Sequence, residues 1–251
     1  MAAHGVEITW LGHATVHYRS PKGTSVLVDA WVESNPACPE NSKAIESIDL
    51  LLITHAHFDH FQDALALMKR HRPEVICNFE TSLWLEKQGV ENVHGINKGG
   101  SVVVHGVRVT MTHALHSNSI QEGDRLVPAG EACGYVLEFE DGTRVYHAGD
   151  TAVFSDMKLI GELYHPSIAT LPIGDLFTMS PLEAAAAARM IGADTVIPIH
   201  HSTFPALTGT PAELRKRLAD RPDIHVVELK PGETARPRPA AARGAAAPQS
   251  K

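Results

Sequence analysis

A short continuous apolar run occupies residues 49–54 (DLLLIT), and the histidine-rich segment HAHFDH follows it directly. An apolar run of this length is typical of a strand that is buried on both faces. Side chains two positions apart on extended backbone point to the same side, so His55 and His57 are placed to bind one ion together. Asp59 and His60 then lie in the turn to the next predicted helix, where they face a second ion. The sequence therefore predicts a buried strand that ends at a metal site.

Three further predicted strands also end close to a histidine or an aspartate. They lie at residues 107–111, 144–146 and 195–199, and the side chains that follow them are His116, Asp150 and His200. Junctions between strands and loops are where functional groups collect on a rigid scaffold. His113 and His201 lie close to two of these positions and are alternatives as ligands. We therefore expect more ligands of the same site here, with the choice between neighbouring histidines left open.

The order of the predicted elements indicates two strand-rich halves, each closed by helices. The first half has predicted strands at 6–10, 15–18, 25–29, 49–54 and 75–77, and predicted helices at 63–70 and 81–87. The second half has predicted strands at 102–104, 107–111, 135–139, 144–146, 168–171, 195–199 and 225–227, and predicted helices at 181–191 and 211–218. Ser180 and Thr210 each precede a proline that the first turn of a helix tolerates, so we interpret both as N-caps. This order predicts an α/β fold, a four-layer αββα sandwich with two mixed sheets flanked by helices.

Residues 1–233 are predicted to form one domain, and residues 234–251 a disordered tail. The tail segment is rich in Ala, Pro and Arg without periodicity, and it has four basic residues and no acidic one. The chain has 29 acidic and 22 basic residues and a formal charge of −7, so the predicted domain alone carries about −11. Nucleic acid is therefore not expected as a partner.

The chain has only three cysteines, which lie far apart. This pattern argues against a disulfide framework or a thiolate zinc site and favours a reducing compartment. No basic segment followed by an apolar one opens the sequence, and no apolar run approaches the roughly 20 residues that cross a bilayer. We therefore expect a cytoplasmic protein without a membrane partner. Nucleophilic serine catalysis is not expected either, because the sequence has no G-x-S-x-G motif.

The histidines and aspartates at the predicted strand ends resemble the five-motif signature of the metallo-β-lactamase superfamily. The matching parts are the HAHFDH segment, His116, the turn at residues 149–151 and His200. The segments WLGHA at 10–14, LPIG at 171–174 and PIH at 198–200 are similar to those of its UlaG-like branch of short metal-dependent hydrolases. The similarity extends from about residue 6 to residue 230. The resemblance thus implies the αββα metallo-β-lactamase fold for the whole predicted domain.

The resemblance also implies a ligand set for two divalent ions. It assigns one ion to His55, His57 and His116 and the second to Asp59, His60 and His200, with Asp150 as the bridge. It favours His116 over His113 and His200 over His201. Zinc is the expected metal, with manganese and iron as alternatives, because all the ligands offer nitrogen or oxygen.

The chemistry implied by this set is hydrolysis. Two ions about 3.5–4 Å apart make hydroxide available near neutral pH and polarise the bond that is cleaved. We expect Asp59 to orient that hydroxide and Thr151 to hydrogen-bond to a ligand carboxylate. His201 is expected to face the substrate or to support the site. His13 is expected either to line the pocket or to be a structural histidine held by hydrogen bonds.

The expected substrate is a small molecule with an ester or lactone bond, for which a phosphorylated sugar lactone is one candidate. Hydrolysis of a phosphodiester is the alternative within the same fold, and metal binding without turnover, as in a sensor, is the alternative of another class. Residues 117–133 follow His116 without periodicity and are either a lid or a plain surface loop, and residues 174–178 are another candidate wall. Relatives in this branch are often oligomers, so the resemblance alone suggests a homo-oligomer.

Overall fold

The computed structural model describes residues 5–237, which form two seven-stranded sheets and a separate hairpin. The first sheet consists of β1 (Glu7–Gly12), β2 (Thr15–Arg19), β3 (Ser25–Val28), β4 (Leu50–Leu52), β5 (Glu74–Asn78), β6 (Val93–Ile96) and β16 (Thr234–Ala235). The second sheet consists of β7 (Ser101–Val104), β8 (Val107–His113), β11 (Cys133–Glu138), β12 (Arg144–His147), β13 (Ile168–Pro172), β14 (Thr195–Ile199) and β15 (His225–Val226). The hairpin consists of β9 (Ser119–Glu122) and β10 (Arg125–Pro128). The helices are α1 (Glu40–Lys43), α2 (Phe58–Phe61), α3 (Ala64–His71), α4 (Phe79–Lys87), α5 (Met157–Tyr164), α6 (Pro181–Ile191) and α7 (Pro211–Arg217).

Both sheets are mixed, and the parallel part of each sheet carries the strands that lead to predicted ligands. In the first sheet, β1, β2 and β3 run antiparallel and β3 to β6 run parallel. In the second sheet, β7, β8, β11 and β12 run antiparallel and β12 to β15 run parallel. The carboxyl ends of parallel neighbours lie at one edge of a sheet, so side chains that follow them are brought together.

The two sheets pack face to face, and helices cover both outer faces. The central apolar core joins side chains of both sheets, among them Tyr18 and Val26 from the first and Met111, Tyr135 and Ile197 from the second. A second apolar cluster lies between the first sheet and helices α3 and α4. A third cluster lies between the second sheet and helices α5, α6 and α7. The predicted αββα sandwich is therefore confirmed.

Strand β4 shows why the apolar run at residues 49–54 has no polar alternation. Leu50 and Leu52 face the other sheet, whereas Leu51 faces the helices, and all three side chains are fully buried. Truncation of such a buried leucine to alanine costs about 2–5 kcal/mol of unfolding free energy. The HAHFDH segment thus follows a firmly packed strand.

The helix starts predicted from proline and its preceding hydroxyl residue agree with the structure. Ser180 accepts a hydrogen bond from the backbone N–H of Glu183 in a capping box, and Thr210 accepts one from the N–H of Glu213. Strand β6, helices α1, α2 and α5 and the β9–β10 hairpin were not predicted, and Asp59 and His60, which were expected in a turn, lie in the short helix α2. Gly95 lies in β6 and is a residue type associated with turns, while α5 begins without a side-chain cap. None of the helices described in residues 5–237 combines the length and apolar character that a membrane span requires.

The predicted boundary between domain and tail at residue 234 is too early. Thr234 and Ala235 form β16 and pair antiparallel with Thr9 and Ile8 of β1. Without β16, β1 would be an edge strand with unpaired backbone N–H and C=O groups, and β16 pairs with these groups. The composition of the tail does not indicate this pairing. The rest of the predicted tail, from residue 238 onward, lies outside the described residues.

Candidate metal centre

The first group of predicted ligands lies where the chain leaves β4 and enters α2. His57 is the N-cap residue of α2 and has extended backbone angles, with φ −65° and ψ 153°. Nε2 of the buried His55 lies 3.1 Å from Nδ1 of His57. His116 reaches the same point from the loop after β8, so that one ligand atom from each of the three histidines lies within 4.8 Å of the others. This arrangement fits three nitrogen ligands of one ion.

A second group adjoins the first. One ligand atom from each of four residues lies within 4.8 Å of the others, and these residues are His13, Asp59, His60 and His200. His200 follows β14 in a left-handed conformation, with φ 53°, and its backbone N–H donates to the carbonyl oxygen of His13 over 2.7 Å. Gly174 supports this loop, since a Cβ there would lie 2.1 Å from the carbonyl oxygen of His200. The group therefore depends on a close backbone approach that only glycine allows.

Asp150 lies between the two groups. Its Oδ2 atom is 3.2 Å from Nε2 of His60, 3.1 Å from Nε2 of His200 and 3.8 Å from Nε2 of His116. His116 belongs to the first group, whereas His60 and His200 belong to the second. The structure thus brings all seven predicted ligands together and places Asp150 where a bridging carboxylate would lie.

Several buried polar atoms of the site have no hydrogen-bond partner among the described residues. They include Nε2 of His60, both ring nitrogens of His200 and Oδ1 of Asp150. Buried polar atoms are nearly always partnered, so these unpaired nitrogen and oxygen atoms need an explanation. A divalent cation supplies the missing partner, and the nitrogen and carboxylate donors match zinc, manganese or iron. The residues present therefore fit the metal that the superfamily implies.

The electrostatics of the site agree with this assignment. Burial lowers the pKa values of His55, His57 and His116, which keeps these rings neutral, as metal ligands must be. Burial raises the pKa of Asp150, but the neighbouring His200 and His60 lower it to well below the ordinary value. In His60, the attraction of carboxylates overcomes the effect of burial and raises the pKa well above its ordinary value. A raised pKa means that His60 holds a proton, which balances the negative charge of the neighbouring carboxylates. A bound metal ion would balance this charge in place of the proton.

A buried carboxylate that the sequence did not assign to the site holds two of these ligands in place. Asp29 follows β3 in a left-handed conformation, with φ 60°, and is fully buried. Its Oδ2 accepts a hydrogen bond from Nδ1 of His60 over 2.6 Å, and its Oδ1 accepts one from the backbone N–H of Thr54 over 2.8 Å. The hydroxyl oxygen of Thr54 also lies 3.0 Å from Nδ1 of His55. Such carboxylate–histidine contacts fix which ring nitrogen faces the metal. The sequence feature that could have identified Asp29 is its position at the end of the predicted strand at residues 25–29.

Two of the three residues predicted to support the site, His13 and Thr151, differ in outcome. His13 contacts the site directly, since its Nε2 lies 2.8 Å from Oδ2 of Asp59. The expected hydrogen bond from Thr151 to a ligand carboxylate is not present, because the hydroxyl accepts the N–H of Leu115 and donates to the carbonyl oxygen of Ala152. Thr151 instead steadies the loop that carries His116.

The alternative histidines lie outside both ligand groups. His201 is buried, stacks on Trp10 with ring centroids 4.7 Å apart, and has its Nδ1 2.9 Å from the hydroxyl of Ser202. His113 lies 2.8 Å from Nζ of Lys98. The structure thus places His116 and His200, rather than these neighbours, at the predicted metal positions.

The segment at residues 117–133 is a hairpin anchored beside the first ligand group. Asn118 Oδ1 accepts the backbone N–H of Ala56 over 2.8 Å, and Ile120 is buried in the cluster that includes α3 and α4. Nε1 of Trp84 in α4 donates to Glu122 at the end of β9. The hairpin is therefore anchored at its base through Asn118 and near its turn through Glu122, and its action as a lid stays a prediction.

Comparison with known proteins agrees with the fold and with a metal-dependent hydrolase. The beta-lactamase superfamily domain matches residues 24–201. A UPF0173 metal-dependent hydrolase of Koribacter versatilis is 53% identical over 234 residues, which cover 93% of this chain and 99% of that protein. A UPF0173 metal-dependent hydrolase of Solibacter usitatus is 50% identical over 228 residues, covering 91% and 98%. A solved metallo-hydrolase of the archaeon Ignicoccus hospitalis aligns with a TM-score of 0.81 at 32% identity, over 92% of this chain and 97% of that chain.

The residues matched by the family model include all seven predicted ligand positions, which lie between residues 55 and 200. The metallo-β-lactamase resemblance predicted from the HAHFDH segment and the later histidines is confirmed. The chain therefore belongs to the metallo-β-lactamase superfamily and, within it, to the UPF0173 metal-dependent hydrolases.

Proposed function

We propose that this protein hydrolyses a small ester or lactone with two divalent metal ions, of which zinc fits the histidine-rich ligand set best. The observation that supports this proposal most strongly is the position of Asp150, whose Oδ2 lies within 3.8 Å of ring nitrogens from both ligand groups. Two sets of nitrogen and oxygen donors joined by one carboxylate favour a pair of ions over a single ion. When bound, two such ions supply a hydroxide nucleophile near neutral pH and polarise a carbonyl oxygen.

Asp59 is the acid–base residue in this proposal. Burial raises the pKa of Asp59, but the hydrogen bond from His13 opposes this effect and favours the ionised carboxylate. The carboxylate is therefore ionised near neutral pH and held in one orientation by His13. It orients the attacking water, accepts the proton that this water loses, and returns the proton to the leaving alkoxide oxygen when the bond between carbonyl carbon and oxygen breaks.

The test is a substrate panel on protein of known metal content. Metal-free protein is reloaded with Zn²⁺ and Mn²⁺ in parallel, and bound metal per chain is measured before each assay. The panel contains a lactone, an aryl ester and a bis-aryl phosphodiester. The matched variants are Asp59→Asn in the site and His105→Asn at an exposed turn outside it.

We expect two ions per chain and turnover of the lactone or the ester that Asp59→Asn abolishes and His105→Asn retains. Turnover of the phosphodiester alone would replace the proposed substrate class. Two bound ions without turnover of any member would contradict the proposed hydrolysis and favour a metal-binding protein of another kind.

A further inference from the structure

A row of aromatic side chains flanks the second ligand group. The ring of Trp31 meets the ring of Phe58 edge to face, with centroids 5.9 Å apart and an interplanar angle of 78°. The same ring stacks on Phe204, with centroids 6.0 Å apart and an angle of 28°. We call these three residues the aromatic wall. Trp31 and Phe204 lie in two separate loops and Phe58 begins α2, so the fold assembles the wall only in the native state.

The aromatic wall is continuous with the proposed acid–base residue. His13 contacts Trp31 edge to face at 5.2 Å between centroids, and contacts Phe204 at 5.5 Å. The Nε2 atom of His13 in turn lies 2.8 Å from Oδ2 of Asp59. Phe58 directly precedes Asp59 at the start of α2. A group that lies on the wall is therefore adjacent to the point at which Asp59 acts.

The three side chains of the aromatic wall differ in how much of their surface is exposed to water. Trp31 is 4% exposed and anchors the wall, Phe204 is partly buried, and Phe58 is 56% exposed. Phe58 thus keeps more than half of its surface in water although it lies between two metal ligands in the chain. Ligand sites typically combine aromatic surfaces that bind the substrate with a few polar groups that orient it, and an exposed aromatic ring beside the polar residues of α2 agrees with this pattern.

We propose that the aromatic wall is the substrate subsite and binds an aryl group, or a similarly flat apolar group, attached next to the scissile ester or lactone bond. This inference rests on the proposed function and names its substrate class. Aryl groups bury large apolar area and stack favourably on other aromatic rings.

The test compares two lactones that differ only in the substituent beside the ring oxygen. They are γ-phenyl-γ-butyrolactone and γ-methyl-γ-butyrolactone, assayed with the metal-loaded enzyme. The variants are Phe58→Ala and Phe204→Ala, and Phe79→Ala removes a phenylalanine of α4 that is 47% exposed as the matched control. Metal content is measured for each variant, so that loss of an ion is separated from loss of the subsite. Trp31 is not substituted, because it is buried and its removal would disturb folding.

We expect the ratio of kcat/KM for the phenyl over the methyl lactone to fall about three- to tenfold in each wall variant, mainly through KM. The ratio stays at the wild-type value in Phe79→Ala. An unchanged ratio in Phe58→Ala and Phe204→Ala would overturn the inference, while turnover of the methyl lactone would leave the proposed function standing.

A binding measurement separates the two proposals if neither lactone is hydrolysed. Saturation transfer from protein to 2-phenylethanol is recorded by NMR on metal-free and metal-loaded protein. Transfer that both wall variants lose and Phe79→Ala retains supports the aryl subsite even though hydrolysis has failed. Equal transfer in wild type and wall variants would overturn the subsite as well.

Discussion

Nε2 of His13 lies 2.8 Å from Oδ2 of Asp59, which joins the turn between β1 and β2 to the HAHFDH segment. The side chain of His13 is fully buried, whereas that of Asp59 is 16% exposed. Burial lowers the pKa of His13 to about 4, so the ring is neutral near pH 7 and offers one N–H to the carboxylate. The contact therefore positions Asp59 without adding a charge to the site.

We expect His13→Asn to weaken the second metal position and spare the first. His13 has φ 55°, a left-handed conformation that asparagine tolerates, so the variant removes the imidazole with little backbone strain. Without this partner Asp59 is free to rotate, and the affinity for the second ion falls about tenfold or more. Metal per chain and the visible spectrum of Co²⁺-substituted protein measure the effect.

His105→Asn is the matched control for this variant, because His105 also has a left-handed φ, 49°, and is exposed. Equal Co²⁺ titrations for the two variants would show that His13 has no positioning role.

We expect Asp29→Asn to reduce metal affinity about ten- to hundredfold, because the carboxylate that fixes His60 is lost. Asp49→Asn is the control, since Asp49 precedes β4 at its opposite end and accepts the N–H of Ser25 over 2.8 Å. Competition with a chelator gives both dissociation constants. Similar values for the two variants would contradict a role for Asp29 in orienting a ligand.

Most of the predicted ligands could be placed from the sequence because they follow strands that are visible in it as apolar runs. The HAHFDH segment follows β4 and His200 follows β14, whereas Asp150 follows β12, a short strand with the sequence RVYH and no such run. Strands buried on both faces leave continuous apolar runs, and the polar residue that ends a run is visible in the sequence.

Other parts of the site depend on tertiary contacts that leave no linear pattern. Asp29 acts through Thr54, which follows the neighbouring strand β4, and through His60, which lies in α2. The rings of Trp31 and Phe204 are in contact although the two residues are far apart in the sequence, and neither residue lies in a helix or strand. Isolated aromatic residues in loops are common, so sequence reasoning had no reason to join these two.

The metal-free protein is expected to lose stability on acidification partly through His147. This histidine is fully buried in β12, with its Nδ1 2.9 Å from the hydroxyl of Tyr18, and burial lowers its pKa to about 4. The unfolded chain titrates near 6.5, so between these values it binds one proton more than the native state. Stability from this group is complete above pH 6.5 and decreases by about 3 kcal/mol as the pH falls to 4.

His147→Gln removes this proton uptake. The slope of unfolding free energy against pH is therefore expected to fall by about 1.4 kcal/mol per pH unit between pH 6 and 5. Urea unfolding in the presence of a chelator, at several pH values, measures the slope, with His105→Gln as the variant that removes an exposed histidine. An identical slope in wild type and His147→Gln would contradict the prediction.

We expect Gly174→Ala to lower metal binding as well as stability. A Cβ at this position would lie 2.1 Å from the carbonyl oxygen of His200, so the loop that carries this ligand must shift. The overpacking costs about 1–3 kcal/mol of unfolding free energy. Gly192→Ala is the control, because Gly192 has φ 71° but no heavy atom within 4 Å of an added Cβ. Its cost is backbone strain of about 1–2 kcal/mol. Both variants should therefore melt earlier in thermal unfolding, while only Gly174→Ala should lose metal in a chelator titration. Full metal retention by Gly174→Ala would show that the close approach of Gly174 does not control the position of His200.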